Sequence, residues 1–528
     1  MFAQKTKTLV LFLLGLIPCI AQNASAQYSH YVIDSSFNQT GQLFTNIGGQ
    51  VVRSLVLPDT TILLGGNGNV NGNARVILLR LNNDGSPYNQ WGFGGKVVDS
   101  FLNSDQDQLR DMIYLPTERI LTLVMTDSVT TSPPHTYFKY ALSKHLMNGN
   151  LDSTFGLNGM VKLIASNNLG AKAISYQSDG KIIIAGSYNG DIMVCRLNTN
   201  GVIDSSFYLD GISSVGIGTL PMDGASAVQV LPDDRIVVAG GTYHSAQQWA
   251  TVCRFFKNGS LDWGFNFTGY VETNVSSYGD FLDNIVIQPN GKILATGYNA
   301  HTNGPITILA IRYDSTGALD PTFGSGGVKV KNINNYDDKS YNAVVQPDGK
   351  IVLGGYNTNA SINVDFMLYR MDSSGNDDPS FALNGLIRGN FYFNQSNFND
   401  HGQTMCAQAD GKLIVAGYSS LSGGGNMAAM RWKPTVITPP NGINAISKEE
   451  TISIYPNPAR ETLNIAFGES PSIKTVVLYN LIGKVVGTYP VSGNNMNIDL
   501  SEMSSGLYFL RFINACGEVT AIRKFTRL

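Results

Sequence analysis

The chain has 528 residues, of which 14% are charged and 56 are glycine, with a formal net charge of -3. That length exceeds one ordinary domain and predicts several, or a repeat array. The near-neutral balance excludes the basic footprint of a nucleic-acid or anionic-membrane binder, and the Gly, Asn, Ser and Thr content favours turn-rich β structure over helices.

The first residues read as a signal peptide, 1–26. Lys5 and Lys7 form a basic start, Leu9 to Ile17 an apolar run, and Ala24-Ser25-Ala26 a small-residue cleavage site, so that cleavage is expected between Ala26 and Gln27. The apolar run is too short to span a bilayer, and no later stretch reaches the roughly 18 apolar residues that a span needs. Ile17-Pro18 stand before Cys19 where a lipoprotein signal wants small residues. Cys195 and Cys253 occupy the same phase of neighbouring repeats and read as small buried hydrophobes, and Cys406 and Cys516 have no evident partner.

Residues 27–432 are repetitive. The turn after the first strand of each unit begins at Pro58, Pro116, Ser178, Pro232, Pro289, Pro347 and Ala409, and a Phe recurs at Phe37, Phe93, Phe155, Phe207, Phe265, Phe323 and Phe381. In the fifth unit four runs read as strands: Asn284 to Gln288, Lys292 to Tyr298, Ile306 to Asp314 and Val328 to Lys331. Pro289-Asn290-Gly291 supplies a preset first turn position and a positive φ, as a tight hairpin requires. Seven units of four antiparallel strands predict an all-β, seven-bladed β-propeller. Unit seven stops after Trp432 without its tail, and the missing tail stands at the other end as Ile33-Asp34-Ser35-Ser36-Phe37, followed by a strand near Leu43 to Asn46. The N-terminal piece is therefore expected to supply the fourth strand of the last blade and close the ring.

Two positions recur strongly. A base precedes the third-strand turn (Arg80, Lys144, Arg196, Arg254, Arg312, Arg370, Arg431), and an Asp stands three residues before the Phe (Asp34, Asp152, Asp204, Asp262, Asp320, Asp378), with Gln90 in its place in unit one. They are read as structural, an ion pair or Asp-capped turn stapling each tail to its blade with the Phe wedged between blades. The first-strand positions expected nearest the axis are small or polar: Ser54, Asp111, Ala173, Ala227, Asn284, Asn342 and Thr404. Up-and-down topology puts the repeated turns on one face. The other face carries stretches that differ between units, read as loops: Asn67 to Asn73, Asn103 to Asp111, Thr126 to His135, His244 to Trp249 and Ala300 to Pro305. Binding specificity is expected on that variable face.

No catalytic constellation stands out. His30, His135, His145, His244, His301 and His401 lack metal-ligand spacing, no nucleophile elbow or phosphate loop is present, and no cofactor or metal is expected.

QPDGKIV, AGY, RxxxxG and LDxxFG, recurring in order over residues 30 to 432, resemble the delta-60 repeat family of bacterial surface proteins; the resemblance implies a β-propeller and no particular activity. Residues 433–450, with Pro434, Pro439 and Pro440, read as a linker. Residues 451–528 alternate as a small β-sandwich. Within it YPNP, LYNLIGKVV, IDLSEMSSGLYFLRF and a basic terminal strand resemble the type A C-terminal sorting domain of the type IX secretion system of Bacteroidetes. This implies that residues 451–528 engage that secretion machinery, and that the protein is released or attached to the outer cell surface. Two functional expectations follow: a non-catalytic binding or adhesion propeller for an extracellular glycan or protein, or a propeller hydrolase or lyase acting on a polysaccharide.

Overall fold

The computed structural model describes residues 30–435 and 452–528, apart from short internal segments at 102–103, 105, 132–133, 164–168, 362, 394–395, 398, 421–424, 468–472, 481–484 and 515–518. The stretch expected as a leader, the cleavage expected between Ala26 and Gln27, Cys516 and most of the expected linker lie outside them. The chain divides into two compact units, Met1–Ile437 and Thr438–Leu528.

The first unit is a seven-bladed propeller of antiparallel four-stranded sheets. Blade five shows the pattern: Gly279–Ile287, Ile293–His301, Gly304–Tyr313 and Val328–Lys331 pair in sequence order. Strands two and three are apolar on both faces because each blade is stacked between two others, so Ile308, Leu309, Ala310 and Ile311 are all fully buried. The ring closes through the strand Gln42–Val56. Its first residues pair with the third strand of blade seven (Gln42 opposite Met430, Phe44 opposite Ala428), and its second half is the first strand of blade one. His30–Ile33 adds a further pairing to the extension of that third strand, Ile33 opposite Trp432.

Each first strand carries a β-bulge, with one extra residue at Val52, Arg110, Lys172, Ser226, Asp283, Tyr341 and Gln403. A bulge bends the strand and increases its twist. It also brings the first strand's carbonyls against the second strand. A Cβ on Gly66, Gly186, Gly240, Gly297, Gly355 or Gly417 would stand 1.8–2.0 Å from a carbonyl oxygen of its neighbour. The glycine of the repeated AGY motif is therefore there for a close backbone approach. Blade two has Val124 at the position opposite Leu109, and nothing in the structure explains how the bulge tolerates it.

The bulge also corrects the strand limits. The first strand of blade five begins at Gly279 rather than Asn284, because the extra residue interrupts the two-residue alternation and hides the strand's first half. Ser54 is one residue out of phase; Arg53, opposite Gly65, is the equivalent of Asp111, opposite Leu123. The stretches expected as loops are largely strand: Asp107–Leu115, Arg119–Thr131, Pro134–His145, Ile236–His244 and Gln247–Phe255 run through them.

Within the second unit, strands Ser453–Tyr455, Thr462–Ala466 and Asn495–Asp499 form one sheet, and Ile473–Asn480, Val485–Pro490, Gly506–Asn514 and Val519–Arg527 form the other. Their inner faces share a core that includes Leu463, Ile465, Val476, Leu478, Leu510 and Phe512. Asn457 of YPNP accepts from the Thr526 amide and donates to the Lys524 carbonyl, tying that motif to the terminal strand.

Candidate functional site: the central channel

The seven bulge residues share one property: all of them line a cavity at the centre of the ring, about 280 Å3 in volume, together with Gln50, Arg53, Asn67, Gln108 and Leu109. Read around the ring, the lining is Val52, Arg110, Lys172, Ser226, Asp283, Tyr341 and Gln403. The cations stand on blades two and three, with the acid and the phenol on blades five and six. The residues expected nearest the axis lie one step beyond the bulge and bind the next blade instead. Asp111 Oδ2 accepts from the Ile174 amide at 2.8 Å, Asn284 from Ala343, Asn342 from Met405, and Thr404 from Ser54. Ala173 and Ala227 have no side-chain group with which to do so.

Two residues before each bulge, and directly across on the second strand, a pair of side chains reaches the mouth on the variable face. These pairs are Gln50/Asn67, Gln108/Met125, Gly170/Ser187, Gly224/Gly241, Phe281/Tyr298, Lys339/Tyr356 and His401/Tyr418. The mouth is thus sharply uneven. Blades five to seven carry rings: Phe281 stacks on Tyr298 with centroids 4.7 Å apart, Tyr356 meets His401 edge-on at 4.9 Å, and His401 stacks on Tyr418 at 4.7 Å. Lys339 Nζ lies 3.8 Å from the Tyr298 centroid and 4.5 Å from that of Tyr341. Blades three and four carry almost no side chain, and blades one and two carry amides. All of these rings are half-buried.

The channel holds more cation than anion. Arg53 Nε donates to Asp111 Oδ1 at 2.8 Å, and Lys339 lies 3.9 Å from Asp283 Oδ2. Burial pushes the Asp283 carboxyl above the usual carboxylate value, against the pull of Lys339, Arg53 and Lys172. Lys172 is exposed, yet partial desolvation at the channel and then the Arg110 charge push its ammonium down, while Asp283 opposes them.

The conspicuous repeated residues lie elsewhere. Arg196, Arg254, Arg312 and Arg370 donate from Nε to Asp204, Asp262, Asp320 and Asp378 at 2.6–2.8 Å, and Arg431 Nη2 reaches Asp34 Oδ2 at 2.8 Å. Lys144 stays 3.9 Å from Asp152, which takes Arg119 at 3.0 Å instead. A second base from the first turn grips the same carboxylate in four blades: Lys181, Arg235, Lys292 and Lys350, at 2.7–3.2 Å. That explains the recurring base after the turn glycine, which sequence reading treated only as a turn. The other Asp oxygen caps its own turn, as Asp204 Oδ1 does for the Ser206 amide and hydroxyl. The base also crosses to the following blade: Arg196, Arg254, Arg312 and Arg80 donate from Nη1 to the carbonyls of Lys257, Ser315, Ser373 and Met147, and Arg431 to that of Asn83. These five bases therefore each join two blades, whereas Arg370 Nη1 donates to Gln346 Oε1 of its own blade. The buried Phe packs against the turn glycine of that next blade, with its Arg 4.4–4.8 Å above the ring in the Phe37, Phe207, Phe265, Phe323 and Phe381 examples.

Blade one corrects two assignments. Phe93 is 89% exposed, and Trp91, fully buried beneath Arg80, takes the wedge position. Tyr88, three residues before Trp91, replaces the Asp; its amide donates to the Arg80 carbonyl and its ring lies 4.4 Å from the guanidinium. Gln90 is not the equivalent. The Arg80 charge is met by Asp59 in the first turn at 2.5 Å. The extra residues around Pro87 shift the register by two.

A second repeated Asp went unread: Asp107, Asp223, Asp280, Asp338 and Asp400 open five of the first strands and are buried. Each accepts backbone amides from the connection arriving from the previous blade, for example Val275 on Asp280, Ile333 on Asp338 and Phe391 on Asp400. The signal was an Asp four residues before the inter-blade position. Burial raises Asp338 to about 6 and Asp400 to about 7.

Ser143, His145 and Asp99 come together, but all three are buried under blades one and two and converge on one Asp99 oxygen. They satisfy one another and present no nucleophile to a substrate. Cys195, Cys253 and Cys406 are buried and free. Among the described residues no cluster of three or more His, Cys, Asp or Glu is arranged for a metal, and no helix is long and apolar enough to cross a membrane.

Residues 453–525 match the Secretion system C-terminal sorting domain, and six segments (57–87, 177–207, 231–265, 288–323, 346–381 and 408–431) match the DUF5122 β-propeller, a domain of unknown function. The protein is a DUF5122-repeat β-propeller with a C-terminal secretion sorting domain. The sorting domain marks it for export, to the cell surface or the medium. No curated protein matches it in sequence. Among solved structures it is similar to a protein of unknown function from Dyadobacter fermentans (10% identity, 75% of this chain and 98% of that one, TM-score 0.41). It is also similar to Sqt1 of Chaetomium thermophilum bound to the N-terminus of ribosomal protein L10 (14%, 76% and 89%, 0.37) and to the polysaccharide lyase Uly1 (11%, 74% and 91%, 0.41). These likenesses concern overall architecture alone.

Proposed function

We propose that this DUF5122 propeller is an exported, non-catalytic glycan-binding protein whose ligand lies across the channel mouth on the variable face. The observation that carries the reading is the one-sided arc of Phe281, Tyr298, Tyr356, His401 and Tyr418 facing the amides Gln50, Asn67 and Gln108. A pyranose offers an apolar C–H face and a rim of hydroxyls, which rings and amides respectively satisfy. The glycines of blades three and four leave an open side by which a chain can enter. The repeated bases and Asp residues close blades and contribute no ligand contact.

Glycan-array binding by the purified propeller, compared with Tyr356→Ala and Tyr418→Ala, tests this reading. Loss of binding in both variants with an unchanged melting temperature supports it; full binding by the double variant overturns it. The alternative, hydrolysis or elimination on the same polymer, needs a free acid and base placed about the scissile bond. Asp283 lines the cavity, whereas Asp111 is turned to the next blade and engaged by Arg53 and the Ile174 amide. Turnover on the same glycan panel, abolished in Asp283→Asn, would establish that alternative.

A further inference from the structure

Beside the aromatic mouth, the cavity is lined by a set of charges in which cations outnumber anions. Four cations reach this region. Arg53 is neutralised by Asp111 at 2.8 Å, and Lys339 stands over two rings beside Asp283. Arg110 and Lys172 are left, on adjacent blades at equivalent bulge positions, both lining the cavity. Arg110 donates to the Met125 sulfur, and its buried Nε has no hydrogen-bond acceptor. Lys172 forms no salt bridge among the described residues. Arg110 is half-buried and Lys172 is open to solvent at the cavity edge, so their repulsion is partly screened; a bound anion would still remove it. The bulge aims both side chains at the axis in a way that a regular strand would not. Asp283 and Tyr341, on the opposite side of the ring, bound the space and leave the cationic half as the place for negative charge.

We infer that Arg110 and Lys172 form an anion subsite in the throat of the channel, which takes the carboxylate or sulfate group of an acidic saccharide unit. The inference rests on the glycan reading of the mouth. The cavity of about 280 Å3 is at the small end for an organic ligand, so it takes one end unit or one projecting group of the chain. A planar guanidinium can grip a carboxylate or sulfate through two parallel hydrogen bonds, and the ammonium adds a point charge from the neighbouring blade.

The experiment is calorimetric titration of the full mature chain with an oligogalacturonate, a sulfated oligosaccharide and a neutral cello-oligosaccharide of equal length. Inorganic sulfate is tested separately by thermal shift. The variants are Arg110→Gln, Lys172→Gln, Asp283→Asn and Tyr356→Ala. The expected result is a preference of about tenfold or more for an acidic chain, lost in Arg110→Gln and Lys172→Gln while neutral binding is kept, since a charged hydrogen bond contributes about that factor. Asp283→Asn, which removes the opposing negative charge, should tighten acidic binding. The carboxylated and sulfated arms separate the two sources of charge. Equal affinity for acidic and neutral chains overturns the subsite and leaves the glycan reading standing. If no saccharide binds, but sulfate raises the melting temperature of the parent and not of Lys172→Gln, the subsite stands and the glycan reading falls. Absence of any response to saccharides and sulfate overturns both.

Discussion

The α-carbon of Gly297 lies so close to the Phe281 carbonyl that a Cβ there would stand 2.0 Å from the oxygen. The contact is repeated in six blades, always opposite the bulge that turns a side chain into the channel. Gly297→Ala must therefore push the two inner strands apart or remove the bulge. The expected loss is about 1–3 kcal/mol, as for other overpacked sites, measured by chemical denaturation. An unchanged midpoint would mean that the bulge is not held by this contact.

Arg312 and Asp320 form a buried pair at 2.6 Å, and Arg312 also reaches the Ser373 carbonyl of the next blade. Arg312→Ala leaves Lys292 as the only base on the buried Asp320 carboxylate and removes the Arg312 link between blades five and six. A destabilisation of about 3–5 kcal/mol is expected. Arg312→Lys should recover only part of it, because an ammonium cannot serve both partners with a fixed fork.

The two sets of repeated Asp residues pull the pH dependence in opposite directions. Hydrogen bonds from Ser206 and Lys181 with the Arg196 charge hold Asp204 well below 3.8, and Thr154 and Arg119 do the same for Asp152. Their contribution is complete above the unfolded value of 3.8 and is lost as pH falls below it. Burial holds Asp338 near 6 and Asp400 near 7, so in the folded state they keep a proton that the unfolded chain releases, and stability falls as pH rises from about 4 towards 7. The melting temperature should thus be highest near pH 4–5. Asp400→Asn should flatten the neutral side, and Ser206→Ala, which weakens the hold on Asp204, should make the acid side shallower. A flat profile between pH 5 and 8 would contradict the Asp400 assignment.

Ring closure hangs on the strand Gln42–Val56 and on Asp34, which takes Arg431 and Lys433 from the other end of the array. Deletion of residues 27–47 should lower the melting temperature of all seven blades together, leaving Met427 to Met430 as an unpaired edge. Melting like the full-length chain would refute the latch.

The sorting domain predicts a cellular outcome. A chain lacking residues 451–528 should accumulate in the periplasm, measured by fractionation and surface proteolysis. Continued surface display would show that export does not need this domain.

The sequence alone determined the number of blades, their strand order, the ring closure and the sorting module. Those features depend on local patterns: turn chemistry at Pro289-Asn290-Gly291, apolar runs, and motifs recurring in every unit. Only the tertiary structure decided which residues face the axis. One extra residue per first strand flips the side chains that follow, so Asn284 turns towards its neighbouring blade and Asp283 towards the channel. The same reason hid the aromatic arc: Phe281 and Tyr298 are 17 positions apart in the chain and meet only through pairing across the bulged hairpin. The repeated Arg and Asp looked like chemistry because they recur, but the ring uses recurrence for closure. Residues that differ from blade to blade at equivalent bulge positions, such as Arg110, Lys172, Asp283 and Tyr341, become comparable only once the strands are in register.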